Sequence, residues 1–207
     1  MADPAARIQV RRARLTDAPA LARIHAHTWR VAYDGLLPAD YLRDLEPRRL
    51  AVDWRRHILR ARRSPQGHLE AVLVAFDATQ AERPLVGFAT TGPARGRRVR
   101  GFAGELFMLY VHPAAQGQGG GRVLFDAARD ALTDLGFRWW FVSVLEANTA
   151  ARRFYAARGL QPDGEAWVDH FAGGEAVRVM RYGGPLDPVW PPRGAGPADQ
   201  SAPGGSA

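Results

Sequence analysis

The residues from Val111 to Arg122, Val-His-Pro-Ala-Ala-Gln-Gly-Gln-Gly-Gly-Gly-Arg, carry the clearest chemical signal in the chain. An apolar run, Leu106 to Val111, precedes the loop and reads as a buried strand, and a helical pattern opens at Arg122. A strand, a glycine loop and a helix start together make an anion site. Backbone N–H groups in the loop and first helical turn have no intrahelical partner and can face phosphate oxygens. Glycine lets the backbone approach the anion and take positive φ without a Cβ penalty. Two common phosphate loops do not fit. A Walker loop ends in Gly-Lys-Ser or Gly-Lys-Thr, and all 28 Lys+Arg residues here are arginine. A dinucleotide loop, Gly-x-Gly-x-x-Gly, started at Gly117 needs glycine where Arg122 stands. What remains is Gln116-x-x-Gly119-x-Gly121.

A second segment, Val142 to Leu160, holds Asn148 and Tyr155 seven residues apart, which places both on one face of a short helix. The six histidines show no metal-ligand spacing. His25 and His27 are two apart on an expected helix and so face different ways. No metal site is expected.

These residues need a scaffold. Ile8 to Arg12 alternates as a strand. Thr16 or Asp17 can cap a helix whose apolar positions include Leu21, Ile24 and Trp29. Gly35 and Pro38 break the chain. A second helical region starts near Asp40, is interrupted near Pro47 and resumes through Leu50, Trp54 and Ile58. Ser64 to Gly67 reads as a turn. Three strands follow, over Glu70–Phe76, Leu85–Thr91 and Gly104–Val111. Arg122 to Leu135 is an amphipathic helix with Gly136 in the C-terminal capping position. Trp139–Leu145 is a buried strand, and Thr149–Arg158 a helix closed by Gly159. Glu165–Phe171 and Val177–Tyr182 form a last hairpin across Gly173-Gly174. The domain is expected to span 7–186. Residues 187–207, rich in Pro and Gly, are expected to form a disordered tail.

Composition narrows the class. A chain of 207 residues with 46% hydrophobic and 24% charged residues suits one soluble domain. Zero cysteines exclude disulfides and thiolate chemistry, and zero lysines exclude a protein Schiff base. No run approaches the roughly 20 apolar residues of a membrane span, and the N-terminus has no secretory pattern. The expectation is a cytoplasmic protein with no membrane partner. The net charge of +7 suits an anionic ligand. The densest basic cluster, Arg95 to Arg100, reads as a solvated hairpin loop, and no nucleic-acid recognition motif accompanies it. No nucleic acid partner is expected.

The glycine loop between strand and helix, the strand-Asn148-helix-Tyr155 segment and the opening Trp29-Arg30-Val31-Ala32-Tyr33 before Gly35-Leu36-Leu37-Pro38 together resemble the GNAT superfamily of N-acyltransferases. The likeness covers nearly all of 7–186. It implies an α/β fold of the α+β kind: a mixed, mostly antiparallel sheet of six or seven strands, splayed between strands four and five and flanked by about four helices. It implies acetyl-CoA as co-substrate and direct attack of a primary amine on the thioester. The backbone of Leu109, Tyr110 and Val111 and the side chain of Asn148 would grip the pantetheine arm, with an oxyanion donor near Leu109, where the fourth strand is expected to bulge. Gln116, Gly117, Gln118, Gly119, Gly120, Gly121 and Arg122 would hold the pyrophosphate, helped by Arg152. Tyr155 would be the general acid, against the plainer reading that it packs with its hydroxyl on backbone. Glu105 would be the base, against a water or a mere strand-end carboxylate. Trp29, Tyr33 and Trp167 would line the site of a small-molecule or peptide amine. His170 is a weaker candidate for the same wall. Ala147 departs from relatives that acetylate protein N-termini, which often carry Ser before the Asn. Pairing with a second copy is left open. A non-catalytic acyl-CoA sensor of the same fold is the alternative.

Overall fold

A computed structural model describes residues 7–63, 70–95, 102–170 and 176–186. The expected tail, the turn at Ser64–Gly67, the Gly173-Gly174 connection and most of the Arg95–Arg100 cluster lie outside these residues.

Seven strands form one sheet in the order β1-β2-β3-β4-β5-β7-β6. They are β1 (Ile8–Arg12), β2 (Ala71–Asp77), β3 (Leu85–Pro93), β4 (Gly104–Val111), β5 (Trp139–Leu145), β6 (Gln161–His170) and β7 (Ala176–Pro185). Every neighbouring pair is antiparallel except β4 and β5. The helices are α1 (Ala18–Ala32), α2 (Ala39–Arg43), α3 (Pro47–Arg63), α4 (Gly120–Asp134) and α5 (Thr149–Ala156). Among the described residues, no helix is long and apolar enough to cross a membrane.

Both faces of the sheet are covered, so β2 is buried along its whole length and carries no polar alternation. On one face α1 and α3 bring Leu21, Ile24, Trp54 and Ile58 against Val72, Val74 and Phe88. On the other, α4 contributes Leu124, Ala128 and Leu132, one position per turn, against Leu106, Trp140 and Val142. A third cluster joins the end of α1 and α2 to β5–β7 through Leu37, Leu42, Leu145 and Val179.

Three local departures have identifiable causes. Helix α4 starts at Gly120, two residues before Arg122, because Gly119 at φ 87° turns the chain directly into it. Asp17 does not cap α1 with its side chain. Its carboxylate instead accepts from the Arg14 amide at 2.7 Å and from Arg11 at 2.6 Å and 3.0 Å. The last hairpin is longer than its apolar residues suggest: Gly164, at φ 90°, lies where the β6 register shifts between Pro162 and Ala166.

The α1 face also buries a titratable group. His25 is stacked on Tyr110 at 5.7 Å and meets Trp29, Trp54 and Phe88 edge-on, and its Nδ1 is buried without a hydrogen-bond partner among the described residues. Burial lowers its pKa from 6.5 to about 4. The unfolded chain thus takes up this proton at a higher pH than the folded one. Stability is full above about pH 6.5 and falls by about 3 kcal/mol as pH drops toward 4. Denaturant melts between pH 7 and 4 should show this slope, and His25→Leu should flatten it.

Candidate active site

Strands β4 and β5 pair only over Gly104–Leu106 and Trp140–Val142. Beyond Leu106 they separate and open a cleft of about 570 Å³. The separation starts at a bulge. Thr90 lies opposite Met108 and Thr91 opposite Leu106, so Phe107 is the extra residue on β4. The bulge therefore stands two residues ahead of the position expected near Leu109. It bends the strand, and it sends Leu106 and Met108 to opposite faces of the sheet although they are two apart.

The bend leaves one edge of β4 unpaired inside the cleft. The His112 amide donates to Val86 O at 2.8 Å, so His112 and, by alternation, Tyr110 point their backbone at β3. Leu109 and Val111 then turn theirs toward the cleft. Gln116 Nε2 donates to Val111 O at 3.3 Å, which ties the glycine loop to the strand end.

The loop presents main chain to the cleft. Gly117 has φ 76° and Gly119 φ 87°, and no atom lies within 4 Å of where a Cβ would be on either. Gln116, Gly117, Gly119, Gly121 and Arg122 line the cleft. Gln118 and Gly120 do not: the Gln118 amide donates to Ala114 O at 3.2 Å, and Gly120 packs near Val111 and Val86. A Cβ on Gly121 would stand 3.1 Å from the Phe154 ring, which packs helix α5 against the start of α4.

The arginines divide differently from the expectation. Arg152 turns away from the cleft, with Nε donating to the Tyr182 hydroxyl at 3.0 Å and Nη1 to Glu146 O at 2.9 Å. Arg158 takes the cleft position, beside Arg122. Its guanidinium lies 3.7 Å over the Phe154 ring, and its Nε is buried with no hydrogen-bond partner among the described residues. An unpartnered guanidinium nitrogen beside open glycine main chain fits a phosphate oxygen. Arg158 lies just past the end of α5, four residues after Phe154, and that spacing to an aromatic ring is a sequence signal that points to it.

Asn148 caps α5, with Oδ1 accepting from the Ala151 amide at 3.0 Å, and it also lines the cleft. At the penultimate residue of that helix, Tyr155 reaches the same cleft. It is 6% exposed, and among the described residues its hydroxyl makes no hydrogen bond to protein. Burial first, and then Tyr33, push its pKa up.

Three tyrosines meet here. Tyr33, at the end of α1, lines the cleft opposite Tyr155. Tyr110 stands beside Tyr33, and both phenols have pKa values raised chiefly by burial. The side chain of Tyr110 thus belongs to the α1 end of the cleft, and its backbone pairs with Phe88 of β3. Thr28, unremarked in the sequence, is buried, lines the cleft and has an Oγ1 with no hydrogen-bond partner among the described residues. Trp29 stands behind Tyr33, edge-on at 5.0 Å, and Trp167 packs in the same apolar cluster with Leu36 and Val177. The Trp29–Leu37 segment and the last hairpin therefore do come together, but Tyr33 alone of the three aromatic candidates faces the cleft. His170 is exposed at the end of β6 and does not line it.

Glu105 lies just outside the cleft wall, beside Phe107. Its Oε2 accepts from the Arg95 amide at 2.9 Å, and burial raises its pKa against the pull of Arg95 and Arg181. The Arg95 guanidinium covers the Phe107 ring at 3.9 Å and pairs with Glu70 at 2.7 Å.

Residues 29–160 match the acetyltransferase (GNAT) family. The uncharacterized N-acetyltransferase YuaI of Bacillus subtilis is 33% identical over 141 residues, which span 68% of this chain and 73% of YuaI. In structure, the PaiA N-acetyltransferase of Thermoplasma acidophilum, solved with coenzyme A, is similar with a TM-score of 0.65 at 18% identity, covering 84% of this chain and 97% of PaiA. YncA of Salmonella typhimurium, a putative acetyltransferase solved with acetyl-CoA, gives 0.62 at 23% identity, covering 87% and 94%. With the family match, the YuaI likeness and a cleft opened where β4 leaves β5, the chain belongs to the GNAT acetyltransferase family.

Proposed function

We propose that this protein transfers an acetyl group from acetyl-CoA to a primary amine by direct attack on the thioester. The observation that carries the reading is the cleft itself. Unpaired β4 backbone, open glycine main chain and an unbonded Tyr155 hydroxyl line one continuous space. The thioester supplies the acyl group. Leu109 and Val111 hold the pantetheine arm as an added strand would be held, and the amide of Asn148 assists. Backbone N–H groups from Gly117 to Arg122, with Arg122 and Arg158, hold the pyrophosphate. An N–H at the Phe107 bulge or from Leu109 stabilises the developing oxyanion. Tyr155 protonates the leaving thiolate.

The acceptor enters from the side of Tyr33, Thr28 and Met108. Among the described residues, the cleft lining contains no carboxylate to hold a second positive charge, and its two arginines, Arg122 and Arg158, are those assigned to the pyrophosphate. That favours an amine borne on an apolar body over a polycation. An acceptor screen that reads free thiol from acetyl-CoA tests the proposal. Monoamines, amino acids and small peptides should include substrates, and polyamines should rank last. Failure of every amine to raise thiol release would support the sensor reading.

Tyr33 and Trp29 should separate in their effects. Tyr33→Ala should raise the acceptor KM at least tenfold while acetyl-CoA affinity stays near wild type. Trp29→Ala removes packing behind it and should cost roughly 3–5 kcal/mol of stability. Steady-state kinetics and denaturant melts read the two.

Glu105 is assigned as the base, acting through a water because it stands outside the cleft wall. A base works deprotonated, so kcat/KM should rise with pH through its ionisation. Burial places that limb above the ordinary glutamate range. Glu105→Gln should remove the limb. A pH–rate profile of unchanged shape in that variant would return the role to another group.

A further inference from the structure

A second hollow lies apart from the cleft. It measures about 830 Å³ and lies on the other side of α1, between that helix, strand β1 and the β2–β3 turn. Among the described residues five arginines line it, Arg11, Arg14, Arg23, Arg30 and Arg83, against two carboxylates, Asp17 and Glu82.

The charges are poorly compensated. Asp17 is already engaged by Arg11 at 2.6 Å, with Arg14 also acting on it. Arg30 is fixed by the carbonyls of Leu42, Arg43 and Leu45, contacts that orient it, and it has no ion-pair partner among the described residues. Arg23 and Arg83 have no ion-pair partner among the described residues. Two of the guanidiniums converge on one floor: Arg11 lies 5.6 Å and Arg83 5.9 Å over the ring of Phe76. Arg83 is also the one non-glycine among the described residues with positive φ, 46°. An arginine there carries a backbone penalty that glycine or asparagine would reduce. Like charges gathered around a concave space repel one another, and a multiply charged anion removes that repulsion. Arginine forks bind phosphate oxygens bidentately, with more geometric selectivity than a point charge.

We propose that this hollow is a second anion site, separate from the acetyl-CoA cleft, that takes a small oligophosphate. Its size suits a chain of two or three phosphates, free or carried on a nucleoside, and its concave shape between a helix and a turn excludes a duplex.

The test uses protein saturated with coenzyme A, so that the cleft's own phosphate loop is filled. Inorganic tripolyphosphate, ATP and a short DNA duplex are titrated separately by calorimetry at low and moderate salt. One tripolyphosphate per chain should bind, more weakly as salt rises. Tighter binding of ATP than of tripolyphosphate would assign the nucleoside a place in the hollow, and equal binding would make the phosphates the whole ligand. Either supports the site. Arg23→Glu and Arg83→Glu, both at exposed side chains, should each weaken binding at least tenfold. Coenzyme A affinity and the thermal midpoint should stay near wild type. Absence of tripolyphosphate binding in the saturated protein, or full binding by both variants, overturns the proposal. So does duplex DNA that binds more tightly than tripolyphosphate and loses that binding in the same variants.

Discussion

Replacing Tyr155 with phenylalanine will lower kcat by roughly 10²-fold or more, with acetyl-CoA affinity close to wild type. The substitution removes one oxygen and keeps the ring that packs against Phe125 and Phe154. The hydroxyl has no protein partner among the described residues, so its loss leaves no donor or acceptor stranded. Burial and the nearby Tyr33 keep the phenol protonated, the state a general acid needs. A packing role predicts a different pattern: a change in the thermal midpoint with kcat intact. Single-turnover rates and thermal melts on the same variant separate the two.

Gly119→Asp will nearly abolish coenzyme A binding while the domain stays folded. At φ 87° the new side chain strains the loop, and the space its Cβ enters is open, so no packed neighbour is displaced. The carboxylate then occupies the ground proposed for the pyrophosphate, at the positive end of α4. A negative charge at a helix N-cap is otherwise favourable, which offsets part of the strain. Calorimetry with acetyl-CoA should show at least a hundredfold loss of affinity, and circular dichroism an unchanged spectrum. Unchanged affinity would place the phosphates elsewhere.

The strands and helices were legible because their signals are local. Leu124, Ala128 and Leu132 repeat at helical spacing, and Gly136 takes the positive φ, 83°, expected of a glycine past a helix end. The glycine loop was equally plain, since only main-chain exposure is at stake. What could not be read depends on contacts made across the fold. The bulge at Phe107 is set by the register of β3 against β4, which no pattern within β4 encodes. Arg152 and Arg158 are both arginines on α5 or just past it. Which one enters the cleft depends on Tyr182 and the Glu146 carbonyl capturing the first and the Phe154 ring receiving the second. The meeting of Tyr33, Tyr110 and Tyr155 joins α1, β4 and α5, three elements distant in sequence. The resemblance to a known family supplied the splay between β4 and β5. Periodicity alone gives two apolar strands and says nothing of where they part.

Direct transfer requires acetyl-CoA and the amine to occupy the cleft together, and initial rates measured with both varied test this most directly. With the best acceptor from the screen, reciprocal plots should intersect, and each thiol released should match one N-acetylated product by mass spectrometry. Parallel lines would signal an acetylated enzyme intermediate. Those lines, or tight acetyl-CoA binding with no amine acetylated, would contradict direct transfer at this cleft.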